Sequence, residues 1–133
     1  MHANNSPEKF QLSFELHFPH GLREIPFYSE ALGATETQRF CNDDGSLHVL
    51  ELSLNGIVFH LHEDNGDHRL TPPQVKGVTA TLEIWTPEPD VLYARAIAAG
   101  AVPLSPMQDY EYGYRQGEFQ DPIGHRWIVQ CRI

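Results

Sequence analysis

The sequence predicts an α+β fold: two tandem β-α-β-β-β modules forming a curved, cup-shaped mixed sheet with helices on the outer face. Three observations predict it. Residues 10–18 and 78–85 both alternate apolar and polar side chains, the pattern of a half-buried strand. Each run is followed by a helix candidate that stops at glycine, at Gly33 and at Gly100. Each helix candidate is then followed by three strand candidates joined by turn sequences.

The first module spans about 10–63. Its strand reads Phe10-Gln11-Leu12-Ser13-Phe14-Glu15-Leu16-His17-Phe18, and its helix candidate runs from Glu24 to Leu32. Pro26 would break a helix interior, so this helix starts only two or three residues before it. Strands at 34–42, 47–54 and 57–63 follow, with Asp44-Gly45 and Asn55-Gly56 between them as tight antiparallel turns. Residues 64–76 are polar and proline-rich and read as a linker. The second module, about 77–132, repeats the order. Pro89 suits the first helical position and Asp90 the positive end of the helix dipole, ahead of a helix to Ala99. Strands at 101–108, 114–120 and 125–132 complete it, and Asp121-Pro122-Ile123-Gly124 forms a type I turn. Phe14, Leu16, Leu82, Ile84, Trp127 and Val129 are the expected core beneath the helices. Neither half is large enough to stand comfortably alone, so residues 1–133 form one domain around a shared core.

Composition narrows the partners. The 133 residues carry 18 acids against 9 bases, a net charge of −9, and 41% hydrophobic residues, which is ordinary globular composition. Lysine and arginine do not cluster, so nucleic acid and anionic membranes are unfavoured partners. No apolar run approaches the ~20 residues of a membrane helix. The segment Met1-His2-Ala3-Asn4-Asn5-Ser6-Pro7 lacks the pattern of a secretory signal. Cys41 and Cys131 lie far apart with no CxxC spacing, which points to a reduced cytoplasmic protein. Core thiols are the preferred reading, with one disulfide as the alternative.

The residues Phe27-Tyr28, Leu32-Gly33-Ala34, His48, Glu51-Leu52 and Ala96 to Ala101 carry a resemblance. So, most specifically, do Tyr112-Gly113-Tyr114-Arg115 and Asp121-Pro122-Ile123-Gly124-His125-Arg126-Trp127. Over residues 10–132 the chain resembles the vicinal oxygen chelate superfamily of glyoxalase I, bleomycin-resistance proteins and extradiol dioxygenases, and within it the PhnB-like branch. The resemblance implies the fold, a cup-shaped site and a homodimer. It does not imply one reaction, because the superfamily hosts several. Metal-dependent members take ligands from the first and fourth strand of each module, and the register carried over from them selects Ser13, His60, Thr81 and Ile128. One imidazole, two hydroxyls and an isoleucine do not hold a divalent ion, so no metal or other cofactor is expected. A shift of two residues keeps the same strand face and selects Glu15, His62, Glu83 and Gln130 instead, a plausible nitrogen and oxygen site.

The expected ligand-binding residues are Glu15, His17, His60, His62, Glu83, Trp85 and Arg115. The first five form a polar stripe across neighbouring strands, which must be solvated, mutually hydrogen-bonded or engaged with ligand. Trp85 shares the face of Glu83 and is either a wall of the cup or a half-buried surface residue. Arg115, beside Tyr110, Tyr112 and Tyr114, is either a clamp for an anionic or aromatic ligand or a structural arginine paired with an acid. His125-Arg126-Trp127 reads as structural, with Trp127 under a helix. No nucleophile motif or glycine-rich phosphate loop is present, and no catalytic residue is assigned. The expected function is binding of a small organic ligand in the cup of a PhnB-like homodimer, with enzyme status open. The alternative is a metal-dependent lyase, isomerase or dioxygenase using Glu15, His62, Glu83 and Gln130.

Overall fold

Side-chain alternation along short strands gives each sheet one core face and one polar face. The computed structural model describes residues 9–133. Strand β1 (Glu15–Pro19), helix α1 (Phe27–Leu32) and strands β2 (Thr35–Cys41), β3 (Leu47–Leu54) and β4 (Ile57–Asp64) form the first module. A short helix α2 (Pro72–Val75) follows. The second module comprises β5 (Thr81–Trp85), α3 (Pro89–Ala98), β6 (Val102–Tyr110), β7 (Tyr114–Gln120) and β8 (Arg126–Arg132). They build two four-stranded sheets, ordered β1-β4-β3-β2 and β5-β8-β7-β6. In each sheet the first strand pairs in parallel with the fourth, and the last three form an antiparallel meander.

Leu16 and Phe18 of β1, Leu50 and Leu52 of β3, and Phe59 and Leu61 of β4 turn to the helix-bearing face of the first sheet. Phe119, Trp127 and Val129 do the same in the second, and all join Phe27, Tyr28, Ala31 and Ala96 in one core. Phe14 stacks on Phe59 with ring centroids 4.7 Å apart and meets Trp127 edge-on at 6.1 Å. Tyr28 packs against both Phe59, at 6.2 Å, and Trp127, at 6.0 Å. The modules therefore share their largest side chains, each worth about 1.5–3 kcal/mol on burial.

One buried carboxylate ties the modules by hydrogen bonds. Asp121, 1% exposed, accepts through Oδ2 from the Tyr28 hydroxyl at 2.6 Å and from Trp127 Nε1 at 2.9 Å. Its Oδ1 accepts from the backbone N–H groups of Ile123 and Gly124, both at 2.9 Å, and of His125 at 3.1 Å. The turn before β8 is thus held by the same side chain that anchors α1. Burial, with the adjacent Asp121 charge, pushes the Tyr28 hydroxyl well above its ordinary range.

Several expectations are revised. The first strand begins at Glu15 rather than at residue 10, because the Ser13 hydroxyl donates to the Val58 carbonyl in place of a ladder bond. Helix α1 begins at Phe27, with Pro26 as its N-cap, and Gly33 closes it at φ 78°. The fifth strand starts at Thr81, not residue 78. The expected linker contains α2, whose Thr71-Pro72-Pro73-Gln74 start forms a capping box with proline in the first turn. Leu16, Trp127 and Val129 are buried as expected, while Phe14, Leu82 and Ile84 are only partly buried against the core. The cysteines are neither core thiols nor a disulfide: Cys41 is exposed at the end of β2 and Cys131 is partly exposed, both free. No helix among the described residues is long and apolar enough to cross a membrane.

The Asp121 cluster sets a stability test. Asp121→Ala strands four donors at once, Gly124 N–H keeping the Asp121 backbone carbonyl, and is expected to cost about 3–5 kcal/mol in urea unfolding. Tyr28→Phe removes one donor and keeps the ring, so its expected cost is about 1–2 kcal/mol. Equal costs would mean that the carboxylate does not organise the cluster.

Candidate functional site

The polar face of the first sheet places acids and imidazoles in cross-strand rows. Glu15 of β1 lies opposite His60 of β4, and His60 lies opposite Glu51 of β3. One row along, His17 is opposite His62, and His62 is opposite Val49. His60 Nε2 is 2.9 Å from Glu51, which also accepts from the Thr37 hydroxyl at 2.8 Å. Glu15 takes Arg69 Nε and His17 Nε2, each at 3.2 Å. Burial acts to raise the Glu15 carboxyl, but the Arg69 and His17 hydrogen bonds outweigh it and hold the group below its ordinary value. Glu51 is held low by Thr37 first, against its partial burial, and by His60 after that. These side chains remain partly open to solvent, so the row can exchange its internal bonds for bonds to a ligand.

The polar face of the second sheet carries amides and aromatic rings. Gln130 Nε2 donates to Glu83 at 3.0 Å, and Gln116 Nε2 donates to the Gln130 amide oxygen. Trp85 lies opposite Gln130, which lies opposite Gln116. Trp85 is 46% exposed whereas Trp127 is 1% exposed. The indole meets Tyr114 edge-on at 5.1 Å, Tyr114 meets Tyr112 at 5.3 Å, and Tyr112 stacks on Tyr110 at 5.1 Å. The Arg132 guanidinium sits 4.5 Å from the centre of the Trp85 ring.

Six of the seven expected residues thus lie on these faces. Glu15, His17, His60 and His62 are together on the first sheet, and Glu83 and Trp85 on the second. No hydrogen bond or ion pair among the described residues joins the two polar faces. Arg115 is the exception and a correction. It lies on the helix-bearing side of β7, where Asp90 of α3 holds it at 2.8 and 2.7 Å and Asp109 at 3.0 Å. The cation beside the tyrosines is Arg132 instead. Glu51 and Arg69 were also missed. Glu51 meets His60 only through the β3–β4 register, which strand alternation alone does not specify.

Each metal register draws its residues from both modules. The ladders put Glu15, not Ser13, opposite His60, and Glu83, not Thr81, opposite Ile128. Of the shifted set, Glu15 and His62 belong to one sheet, Glu83 and Gln130 to the other. No group of three or more His, Cys, Asp or Glu side chains among the described residues is spaced to hold an ion. A second polar cluster, absent from the sequence reading, lies at the end of the first sheet. Glu63, 2% exposed, is bonded by His20 Nδ1, by His48 Nδ1 at 2.9 Å and by the Asn42 amide at 3.1 Å.

The profile of a family described as a glyoxalase-like domain matches residues 14–130. Over 109 residues, 79% of this chain, the sequence is 33% identical to an uncharacterized protein of Mycobacterium bovis, of which it covers 72%. The same identity and length relate it to an uncharacterized protein of Mycobacterium tuberculosis, of which it covers 64%. Among solved structures, a glyoxalase/bleomycin resistance protein/dioxygenase family enzyme from Burkholderia phytofirmans superposes with a TM-score of 0.65. It is 16% identical, over 90% of this chain and 97% of that one.

The Glu63 cluster makes stability depend on pH from both sides. Burial acts to raise Glu63, but His20, His48 and Asn42 outweigh it and hold the carboxyl below 4.5, so its contribution is lost as pH falls through that lowered value. The hydrogen bond and charge of Glu63 raise His20 above 6.5, so that contribution is full below 6.5 and lost as pH rises through the raised value. Stability from this pair is expected to be greatest between pH 4.5 and 6.5. Glu63→Gln should return the His20 midpoint, followed by NMR, to the ordinary imidazole range. An unchanged midpoint would disprove the coupling.

Proposed function

The chain belongs to the glyoxalase-like domain family, within the glyoxalase/bleomycin resistance/dioxygenase superfamily, and from that premise we propose that it binds a small organic ligand on the polar faces of its sheets. The reading is of a PhnB-like cytoplasmic homodimer that works without the divalent metal of its metal-dependent relatives. The observation that carries it is the Glu15–His60–Glu51 row, which offers two carboxylate acceptors and an imidazole to solvent on a rigid ladder. The Trp85–Tyr114–Tyr112 wall supports it, since it offers π-faces to a flat or apolar part of the ligand. The Gln130–Glu83 pair supplies a further donor and acceptor.

A metal-dependent reaction through Glu15, His62, Glu83 and Gln130 is less well supported. The Gln130 amide oxygen already accepts from Gln116, and no group of three or more His, Cys, Asp or Glu side chains among the described residues is spaced to hold an ion.

Homodimerisation has its own support. Each sheet buries one face in the core and leaves the other open, so both open faces are available to a second copy. Light scattering at micromolar concentration should give twice the 15.1 kDa chain mass. The chain mass itself would overturn the homodimer.

For the ligand, a panel of small aromatic and carboxylate-bearing compounds is screened by quenching of Trp85 fluorescence, with elemental analysis of the purified protein alongside. His60→Ala and Glu83→Ala are each expected to weaken the best compound about tenfold or more, the value of a hydrogen bond to a charged group. Their melting temperatures should stay near the parent's. Parent-like binding by both variants, or stoichiometric metal in the protein, would reject the reading.

A further inference from the structure

At the far end of β8 from the aromatic wall, where Arg126 shares the strand face of Gln130, the chain has a cationic pocket that the ligand-binding residues named above do not line. It measures about 320 Å³ and is lined by α2 and its exit (Pro72, Pro73, Lys76, Gly77), by the turn Pro122, Ile123 and Gly124, and by Gln120 and Arg126. Among the described residues two cations line it and no carboxylate does, in a chain with 18 acids and 9 bases. Neither Lys76 nor Arg126 forms an ion pair among the described residues. The nearest acid in sequence, Asp121, has both oxygens committed to Tyr28, Trp127 and the turn.

One of its lining residues also has an unmet donor. Arg126 Nε is buried and has no hydrogen-bond partner among the described residues, a costly state for a charged group. The wall beside it is tightly built. A Cβ at Gly124, where φ is 117°, would lie 2.9 Å from the Pro72 side chain, so only glycine lets α2 close on the turn. Lys76 ends α2 in the left-handed conformation at φ 57°, a local cost for a residue with a side chain. An unmet Arg126 Nε, in a pocket that Lys76 also lines, would be stabilised by an anion.

We propose that this pocket binds a small dianionic oxyanion, a phosphate group, between Lys76 and Arg126. The guanidinium offers planar, paired donors and the ammonium a second charge, a combination that suits phosphate better than a single carboxylate. The volume exceeds that of phosphate alone, so the group can be free or carried by a small phosphomonoester. None of the residues proposed to bind ligand on the polar faces lines this pocket.

Calorimetric titration of the full chain with inorganic phosphate tests it, with glycerol 3-phosphate as the ester and acetate as the monoanion. Saturable one-to-one binding of phosphate is expected, with much weaker binding of acetate. Tighter binding of the ester would identify a phosphorylated small molecule as the source of the group, and equal binding would identify free phosphate. Lys76→Ala and Arg126→Gln should each weaken phosphate at least tenfold. Lys76 is exposed, so its variant decides the question if Arg126→Gln fails to fold. No saturable phosphate binding at millimolar concentration, or affinity retained in the Lys76→Ala variant, overturns the proposal.

Discussion

The structure depends on how one carboxylate is satisfied. Asp121 is removed from water, and each of its oxygens is repaid by donors from a different part of the chain: α1, the start of β8 and the turn between β7 and β8. A buried carboxylate with that many partners tolerates little displacement, because each lost bond leaves a polar group in an apolar surround. The positions of α1 over the joint core and of β8 in the second sheet therefore follow from one side chain. The polar faces inherit their geometry from it, since Gln130 projects from β8 and the first-module strands pack on Tyr28.

Much of the fold was legible because it rests on local rules. Strand alternation, glycine after α1, proline at the start of α3 and Asn55-Gly56 between β3 and β4 each specify a local geometry that packing leaves intact. The boundaries were less legible where a side chain replaced a ladder bond, as Ser13 does. Helix α2 was readable in principle from its capping box, but its polar, proline-rich surroundings concealed it. The cysteines were misplaced because strand position alone does not say whether a helix covers that part of the sheet.

The candidate site was legible in part, for a physical reason. Alternation says which residues share a strand face, so Glu15, His17, His60 and His62 could be grouped. It does not say which face the helix takes when both carry polar groups. Arg115 illustrates the gap: flanked by tyrosine and glutamine, it turns to Asp90 because α3 presents that acid to it. Cross-strand register is equally hidden. Glu51 becomes a neighbour of His60 only through the β3–β4 ladder, and Glu63 collects His20 and His48 from separate loops and strands.

The reach of the Tyr28–Asp121 bond also bears on how the chain is made. During synthesis the first module leaves the ribosome well before β8 exists. Until then Tyr28 has neither its carboxylate nor Trp127, and the aromatic face of Phe14 and Phe59 lacks its cover. The emerging half-chain must therefore carry an open hydrophobic surface and an unfinished core, a state prone to misassociation. Chaperone capture, or slow elongation through the second module, would act on that interval more than on the finished protein.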